Sequence, residues 1–170
     1  YIPELYRSKG VRALVVSNLG DYANQFPDAS FLQVDDTLAA LQQLAAFHRK
    51  QFNYPVIGIT GSNGKTIVKE WLAQLLAPDY RIVRSPKSYN SQVGVPLSVL
   101  GMGDEFNLAI IEAGISQPGE METLESIIAP TIGLFTNLGA AHNENFANIE
   151  AKAKEKMKLF SGCKLLIYCD

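Results

Sequence analysis

The feature that most constrains this chain is the segment 56–66, VIGITGSNGKT, in which an apolar, β-branched run leads into a glycine-rich turn. A helix is predicted directly after it, with an apolar face formed by Val68, Trp71, Leu72, Leu75 and Leu76. A buried strand, a glycine turn and a helix in this order are the setting of a phosphate-binding loop. The segment therefore predicts an α/β protein that binds a phosphorylated ligand.

Each polar or small residue of the turn has a predicted role. Gly61 and Gly64 permit a tight turn in which successive N–H groups point at a polyphosphate. Lys65 would neutralise the β and γ phosphates of ATP, and the Thr66 hydroxyl would bind Mg²⁺. The glycines fall at 58, 61 and 64, so the loop is a variant of the common G-x-x-x-x-G-K-[ST] pattern. The predicted nucleotide-binding residues are Gly61, Ser62, Asn63, Gly64, Lys65 and Thr66.

Short apolar runs recur along the whole chain, and most are separated by stretches with helical spacing. Because these runs are continuous rather than alternating, they are typical of strands covered on both faces. We therefore predict a mostly parallel sheet with helices on both faces, the architecture of P-loop NTPases. The predicted strands are 13–17, 30–34, 56–60, 81–84, 108–113, 131–136 and 164–168.

The predicted domain division lies at the end of a helix from about 36 to 52, which stops near Asn53 and Pro55. Residues 1–48 would then form one module and residues 49–170 another. Both ends of the chain look cut, and we expect a piece of a larger protein.

Composition limits the possible partners. The formal net charge is −2 and acidic and basic residues are interspersed, so no broad positive surface is available for nucleic acid. No segment reaches the roughly 18 apolar residues that a membrane span needs, and no signal-peptide pattern is present. We therefore expect a cytoplasmic protein that neither binds nucleic acid nor inserts into membranes.

Two polar residues follow predicted strands in positions suited to a metal site. Glu112 ends the strand 108–113, and His142 lies just beyond the strand 131–136. In open α/β sheets, ligands bind beyond the carboxyl ends of the strands, so both side chains would emerge beside the phosphate loop. The polar segment 84–100 is either a substrate contact or an ordinary connection.

Four lysines occur between residues 150 and 160. On a helix, Lys152 and Lys156 share one face while Lys154 and Lys158 share a neighbouring one, and the usual interpretation is a solvated basic face. Alternatively, a lysine crowded by other cations has a lowered pKa. Its neutral amine could then react with carbon dioxide to form an anionic carbamate ligand.

Five motifs taken together resemble the Mur ligases of peptidoglycan synthesis, in both order and spacing. GVPLSVL and the stretch EAG to PGEM are most similar to the MurF-type members. IPELYRSKGVRALVVS at 2–17 is similar to the end of that type's UDP-substrate-binding domain. The motifs are TGSNGKT at 60–66, YNSQVGVPLSVL at 89–100, IIEAG at 110–114, TNLGAAHNENF at 136–146 and the lysine helix that ends at Phe160.

The resemblance implies ATP-dependent addition of D-alanyl-D-alanine to a UDP-N-acetylmuramoyl tripeptide through an acyl phosphate. It assigns Lys65 to the phosphates, Thr66 and Glu112 to one Mg²⁺ and His142 to a second. Lys156 matches a lysine that is carbamylated in several members and so joins the metal ligands. Asn90 matches an asparagine in the nucleotide and substrate region. Lys65, Glu112, His142 and Lys156 form the implied catalytic set.

The implied parent enzyme is larger than this chain, since the rest of the central domain and a C-terminal domain would follow. We expect the chain by itself not to complete ligation. GITGSNGKTIVKEWL also resembles the front half of fusions with alanine racemase. The resemblance thus offers an alanine racemase portion as one continuation of the chain in its parent protein. The alternatives are another Mur ligase, a ligase similar to folylpolyglutamate synthase, or an ATP-binding module without catalysis.

Overall fold

A computed structural model describes residues 1–139 and 145–169 of the chain. It divides into two compact units, residues 1–41 and the chain from residue 42 onward. The smaller unit pairs two parallel strands, and Phe26 is buried against the rings of Tyr6 and Tyr22. Its elements are helix α1 (Ile2–Ser8), strand β1 (Ala13–Val16), helix α2 (Tyr22–Gln25) and strand β2 (Ser30–Gln33).

The larger unit is built on a five-stranded sheet with the order β4-β5-β3-β6-β7, in which every neighbouring pair is parallel. Its strands are β3 (Val56–Thr60), β4 (Ile82–Arg84), β5 (Leu108–Glu112), β6 (Ile132–Phe135) and β7 (Leu165–Tyr168). Its helices are α4 (Lys65–Leu76), α5 (Gly94–Val99), α6 (Glu120–Ile128) and α7 (Ile149–Met157), followed by a 3-10 turn, Lys158–Phe160. Helix α3 (Thr37–Arg49) begins in the smaller unit and ends in the larger one.

The sheet is apolar on both faces. Ile57, Ile59 and Ile110 pack with α4 on one face, while Val56 and Ile111 point to a second core on the other face. Helices α5 and α6 contribute buried side chains to that second core. The predicted α/β fold with a mostly parallel sheet and helices on both faces is therefore confirmed, and each predicted strand is present to within a residue or so at either end.

Two details differ from the expectation. The predicted apolar face of α4 included Trp71 and Leu75, but both are mainly exposed, at 63% and 73%. The compact units divide at residue 41 rather than at 48, because the second half of α3 belongs to the larger unit. Ala45 is completely buried in that unit's core, and Arg49 is buried among its backbone carbonyls.

Two glycines in neighbouring strands leave a part of the sheet surface without side chains. Gly58 and Gly133 are register partners in β3 and β6. A Cβ on Gly133 would lie 2.4 Å from the ring of Phe160, and one on Gly58 would lie 2.8 Å from the side chain of Pro130. The missing side chain of Gly133 therefore lets the 3-10 turn after α7 pack against the sheet, and that of Gly58 makes room for Pro130. Within the described ranges, 1–139 and 145–169, no helix combines the length and apolarity needed to cross a bilayer.

Candidate functional site

The glycine-rich turn packs closely on the segment that follows β6. Gly61 has φ of 145°, and a Cβ there would lie 2.0 Å from the Thr136 hydroxyl oxygen. Gly64, with φ of 80°, is the residue before the first turn of α4. Both backbone conformations favour glycine, which explains its presence at these two positions. The loop therefore has a defined shape in this chain.

Asn137 determines which N–H groups of the loop remain available. From the sequence we expected successive N–H groups to face a polyphosphate, but Ser62 N–H donates to the Asn137 carbonyl at 2.9 Å and Asn63 N–H to its side-chain oxygen at 3.0 Å. Because α4 begins at Lys65, the N–H groups of its first turn have no partner within the helix. The helix N-terminus is therefore the better-placed anion-binding feature.

Glu112 forms the centre of the polar cluster at the carboxyl end of β5. It is completely buried, and its Oε1 accepts hydrogen bonds from the Thr66 hydroxyl at 3.1 Å and from Asn90 Nδ2 at 2.8 Å. Its Oε2 is buried without a hydrogen bond in the described structure and lies 3.4 Å from Lys69 Nζ. The structure thus brings together Thr66, Asn90 and Glu112, three residues that the sequence placed in the site.

Two ammonium groups converge on one carbonyl at the start of the loop. Lys65 Nζ donates to the Gly61 carbonyl at 2.9 Å, and Lys156 Nζ donates to the same oxygen at 3.3 Å. Burial lowers the pKa of Lys65, while nearby Glu112 opposes that shift. Burial, and then the charges of Lys65 and Lys152, lower the pKa of Lys156 to about 8. The cluster therefore holds excess positive charge beside the loop, as an anion-binding site requires.

The solvated basic face predicted for α7 is wrong for half of its lysines. Lys152 and Lys156 are almost fully buried, at 1% and 3% exposure, whereas Lys154 is exposed. Glu155 is buried beside them and accepts hydrogen bonds from the N–H groups of Gly119 and Met121 at the start of α6. The predicted lowered pKa of a lysine in this helix is confirmed for Lys156, although burial rather than crowding is its main cause.

Sequence reasoning missed two buried lysines. Lys69 is fully buried on α4, and Lys152 donates to the Gly139 carbonyl next to the loop. Helical spacing is the sequence signal that could have indicated their burial. Lys69 precedes buried Ala73 by four residues, and Lys152 and Lys156 share a face with Leu159. A lysine on the apolar face of a helix is a candidate for a buried, partnered charge.

A cleft of about 320 Å³ opens next to the loop. Lys65 and Lys156 lie on one side of it, and Asn90 and Glu120 line other parts of its wall. Its remaining lining comes from the turns 91–93 and 114–116 and from Gly61 and Ser62. A cleft that joins a phosphate loop to a polar wall can hold a carboxylate substrate close to a nucleotide's terminal phosphate.

Comparison with known proteins agrees with this geometry. Residues 59–169, more than half of the chain, match the family described as the Mur ligase middle domain. The chain belongs to the Mur ligase family. In this Mur ligase chain the match runs from β3 to β7 and contains the phosphate loop, Glu112 and α7.

Named relatives narrow the resemblance. The UDP-N-acetylmuramoyl-tripeptide–D-alanyl-D-alanine ligase of Bacillus subtilis is 38% identical over 138 residues, covering 79% of this chain and 30% of that protein. The crystal structure of MurF from Acinetobacter baumannii superposes with a TM-score of 0.82 at 28% identity, covering 91% of this chain and 34% of that one. The MurF ligase of Thermotoga maritima, solved in complex with ADP, gives 0.81 at 25% identity, covering 95% and 44%. This Mur ligase chain therefore spans about a third of the length of its curated relatives.

The donor set around Glu112 suits a magnesium ion. The Glu112 carboxylate and the Thr66 hydroxyl that contacts its Oε1 are hard oxygen ligands, and Oε2, which lies 3.4 Å from Lys69 Nζ, accepts no hydrogen bond within the described residues. In the part of this Mur ligase chain that the structure describes, no group of three or more His, Cys, Asp or Glu residues could hold a metal by itself. Mg²⁺ is commonly bound by one or two protein carboxylates and completes its shell with phosphate and water. His142, predicted to bind a second ion, lies outside the described residues.

Proposed function

We propose that this chain forms the phosphate-binding part of an ATP-dependent ligase that adds D-alanyl-D-alanine to a UDP-N-acetylmuramoyl tripeptide. The observation that carries the proposal is the convergence of Lys65, Lys156 and the N-terminus of α4 on one side of a cleft, with buried Glu112 beside Thr66. The names of the relatives supply the substrates. The remainder of such an enzyme would supply the adenine and amine sites, and the smaller unit would be the end of its UDP-substrate-binding domain.

The chemistry is phosphoryl transfer from ATP to the carboxylate of the tripeptide. One carboxylate oxygen attacks the γ phosphorus, ADP leaves, and the amine of D-alanyl-D-alanine then attacks the acyl phosphate and releases phosphate. Such reactions depend on positioning and charge neutralisation more than on a side-chain nucleophile. Lys65 would neutralise the terminal phosphates, while the free N–H groups at the start of α4 would bind their oxygens.

Thr66 and Glu112 would hold a Mg²⁺, which neutralises charge on the phosphates when it is bound. Asn90 would keep the Glu112 carboxylate turned toward Thr66, because it donates to the same oxygen. His142 and Lys156 are proposed for a second ion. Lys156 has a suitable chemistry for this, since a pKa of about 8 gives an appreciable neutral fraction. The neutral amine can add to carbon dioxide and lose a proton, which leaves an anionic carbamate.

Calorimetric titration of Mg·ATP and of a non-hydrolysable analogue into the chain tests the first part of the proposal. Lys65→Ala should weaken binding at least about 30-fold, because an ammonium that neutralises phosphate is worth roughly 2 kcal/mol or more. Lys154→Ala is the matched control, since it removes an exposed lysine and should leave affinity unchanged. Equal affinities for Lys65→Ala and the wild-type chain would refute the phosphate-binding role.

A second experiment tests the reaction. In a full-length ligase that carries this chain, ADP release should require both the UDP-linked tripeptide and D-alanyl-D-alanine, and Glu112→Gln should abolish it. ADP release that the tripeptide does not stimulate would favour the alternative of a nucleotide-binding module. Stimulation by a different amine would identify another ligase of the same family.

A further inference from the structure

Lys69 is a completely buried charged residue near the site, and the mechanism above gives it no role. Its side chain is 0% exposed. The ammonium donates to the Ser85 carbonyl at 2.7 Å and also to the Lys87 carbonyl, and it lies 3.4 Å from Glu112 Oε2. An ammonium carries three donors, and Glu70 Oε1, at 3.2 Å from Lys69 Nζ, is a further acceptor within reach.

The two carbonyls belong to the loop that follows β4, and the same loop carries two other residues into the site. Ser88 lies 3.3 Å from the Thr66 hydroxyl, and Asn90 donates to Glu112 Oε1. Lys87 has φ of 47°, a conformation that non-glycine residues adopt only when the surroundings hold it. One ammonium thus connects the carboxylate to the loop that carries Asn90, one of its two neutral side-chain donors.

The two oxygens of Glu112 therefore have different surroundings. Oε1 faces the hydroxyl of Thr66 and the amide of Asn90, while Oε2 has Lys69 as its charged neighbour. A buried carboxylate without a counter-charge is strongly destabilising. Lys69 supplies the nearest counter-charge among the described residues, and it lies beside Oε2 rather than beside the oxygen that Thr66 contacts.

We propose that Lys69 is a positioning residue that fixes the orientation of Glu112 and holds the 85–90 loop against it. This inference rests on the proposed function only in taking Glu112 as the Mg²⁺ ligand. Residues that orient a metal-binding carboxylate act through it, and their loss commonly weakens metal binding about 10- to 100-fold. Lys69 would not touch nucleotide or substrate.

A thermal double-mutant cycle, without nucleotide or Mg²⁺, tests the coupling of Lys69 to Glu112. Lys69→Met should lower the Tm by roughly 10 °C, because it removes the nearest counter-charge of the buried Glu112. The double variant Lys69→Met/Glu112→Gln should melt higher than Lys69→Met alone, since the uncompensated charge is gone. If the Tm losses of the two single variants simply add in the double variant, Lys69 only fills space and donates to carbonyls. That result would overturn the proposal.

Nucleotide titrations at a series of Mg²⁺ concentrations test the consequence for the site. With Lys69→Met, the Mg²⁺ concentration that gives half of the maximal tightening should rise about tenfold, while affinity in EDTA stays within about twofold. Glu70→Gln is the matched control. Glu70 also pairs with Lys69, at 3.2 Å, but it is partly exposed and is not in contact with Glu112 in any described interaction.

Lys69→Arg provides a variant that keeps the charge, and partial recovery of the Mg²⁺ dependence is expected. An unchanged Mg²⁺ dependence in Lys69→Met, together with a weaker affinity in EDTA, would contradict a role through Glu112. If the wild-type chain shows no Mg²⁺-linked nucleotide binding, it is the proposed function that fails. The thermal cycle still decides whether Lys69 supports Glu112.

Discussion

The two ends of the five-stranded sheet both bury cations against backbone carbonyls, but they do so in different ways. At the amino end, Arg49 donates from three nitrogens to the carbonyls of Ile128, Phe52 and Ala129, at 2.8, 2.7 and 3.0 Å. At the carboxyl end, Lys65 and Lys156 share the single carbonyl of Gly61. Arg49 therefore has three carbonyl acceptors, whereas Lys65 and Lys156 share one carbonyl among the described residues.

This difference separates a structural charge from a functional one. Arg49 joins the end of α3 to the end of α6, where Ala129 has φ of 42°, so its contacts stabilise a strained connection. Burial lowers the pKa of Arg49, and the nearby Tyr54 opposes that shift. The two lysines face a cleft, and the charge of Lys65 contributes to the lowered pKa of Lys156. Buried positive charge that lacks enough acceptors is suited to an anionic ligand.

The largest expected effect on stability comes from the amino end. Arg49→Met should destabilise the larger unit by about 3 kcal/mol, because buried carbonyls lose their donor. That corresponds to a fall in Tm of roughly 6–12 °C in thermal unfolding. Affinity for Mg·ATP at temperatures where the variant is folded should stay unchanged. Arg49→Lys keeps the charge but not the fork of donors and should recover only part of the loss.

At the carboxyl end of the sheet, removing a buried cation is expected to raise the Tm rather than lower it. Lys156→Met should raise the Tm at pH 7 by about 2–5 °C, because it removes a buried charge that is held among other cations. Lys154→Met, at an exposed position of the same helix, is the control. A Tm that falls in Lys156→Met at pH 7 would show that its bond to Gly61 outweighs the burial of its charge, and the distinction between the two ends would fail.

The pH dependence of that gain follows from the direction of the shift. The folded-state pKa of Lys156, about 8, is below the ordinary value of 10.5. Below pH 8 both states are protonated, and the folded state bears the full cost of burial. Between about pH 8 and 10.5 the unfolded chain holds more protons, so stability rises with pH through this group. The Tm advantage of Lys156→Met should therefore shrink over that window.

The secondary structure of this chain could be read from its sequence because local patterns determine it. The apolar β-branched runs of β3 and β5 are buried on both faces, and such continuity predicts a parallel sheet without knowledge of the neighbours. The phosphate loop was equally local, because Gly61, Gly64 and Lys65 lie within five residues in sequence. Glu112 could be placed because the carboxyl ends of parallel strands meet at one edge, whereas Asn90 was placed by the family resemblance.

The buried charges could not be read in the same way, since their partners are distant in sequence. No local pattern marks Arg49 as buried, because its acceptors Ile128 and Ala129 come from another helix. The burial of Lys69 depends on the loop after β4, where the Ser85 carbonyl accepts a hydrogen bond from its ammonium. The roles proposed for Lys65, Glu112, His142 and Lys156 stay predictions, as does an alanine racemase portion beyond residue 170.

A smaller effect tests how α7 is held so that Lys156 reaches the loop. Burial by itself raises the pKa of Glu155. Hydrogen bonds from Lys158 and from the N–H groups of Met121 and Gly119 lower it by more, so the net shift of the pKa is downward. Its stabilising contribution is therefore present above the ordinary carboxyl range and is lost as the pH falls through the folded-state pKa.

Glu155→Gln should lower stability at pH 7 by about 1 kcal/mol, the usual worth of a helix N-cap, because Glu155 binds the first N–H groups of α6. The Tm difference from wild type should decrease as the pH is lowered below about 4.5, where the unfolded-state carboxyl is already protonated. Glu150→Gln, at an exposed position on the same helix, is the control. A difference that is the same at pH 7 and pH 4 would mean that Glu155 acts through its shape and hydrogen-bond acceptors alone. In that case the charge of Glu155 would not contribute to holding α7. The functional charges of this helix would then be those of its buried lysines beside the phosphate loop, in contrast to Arg49, whose partners are neutral carbonyls.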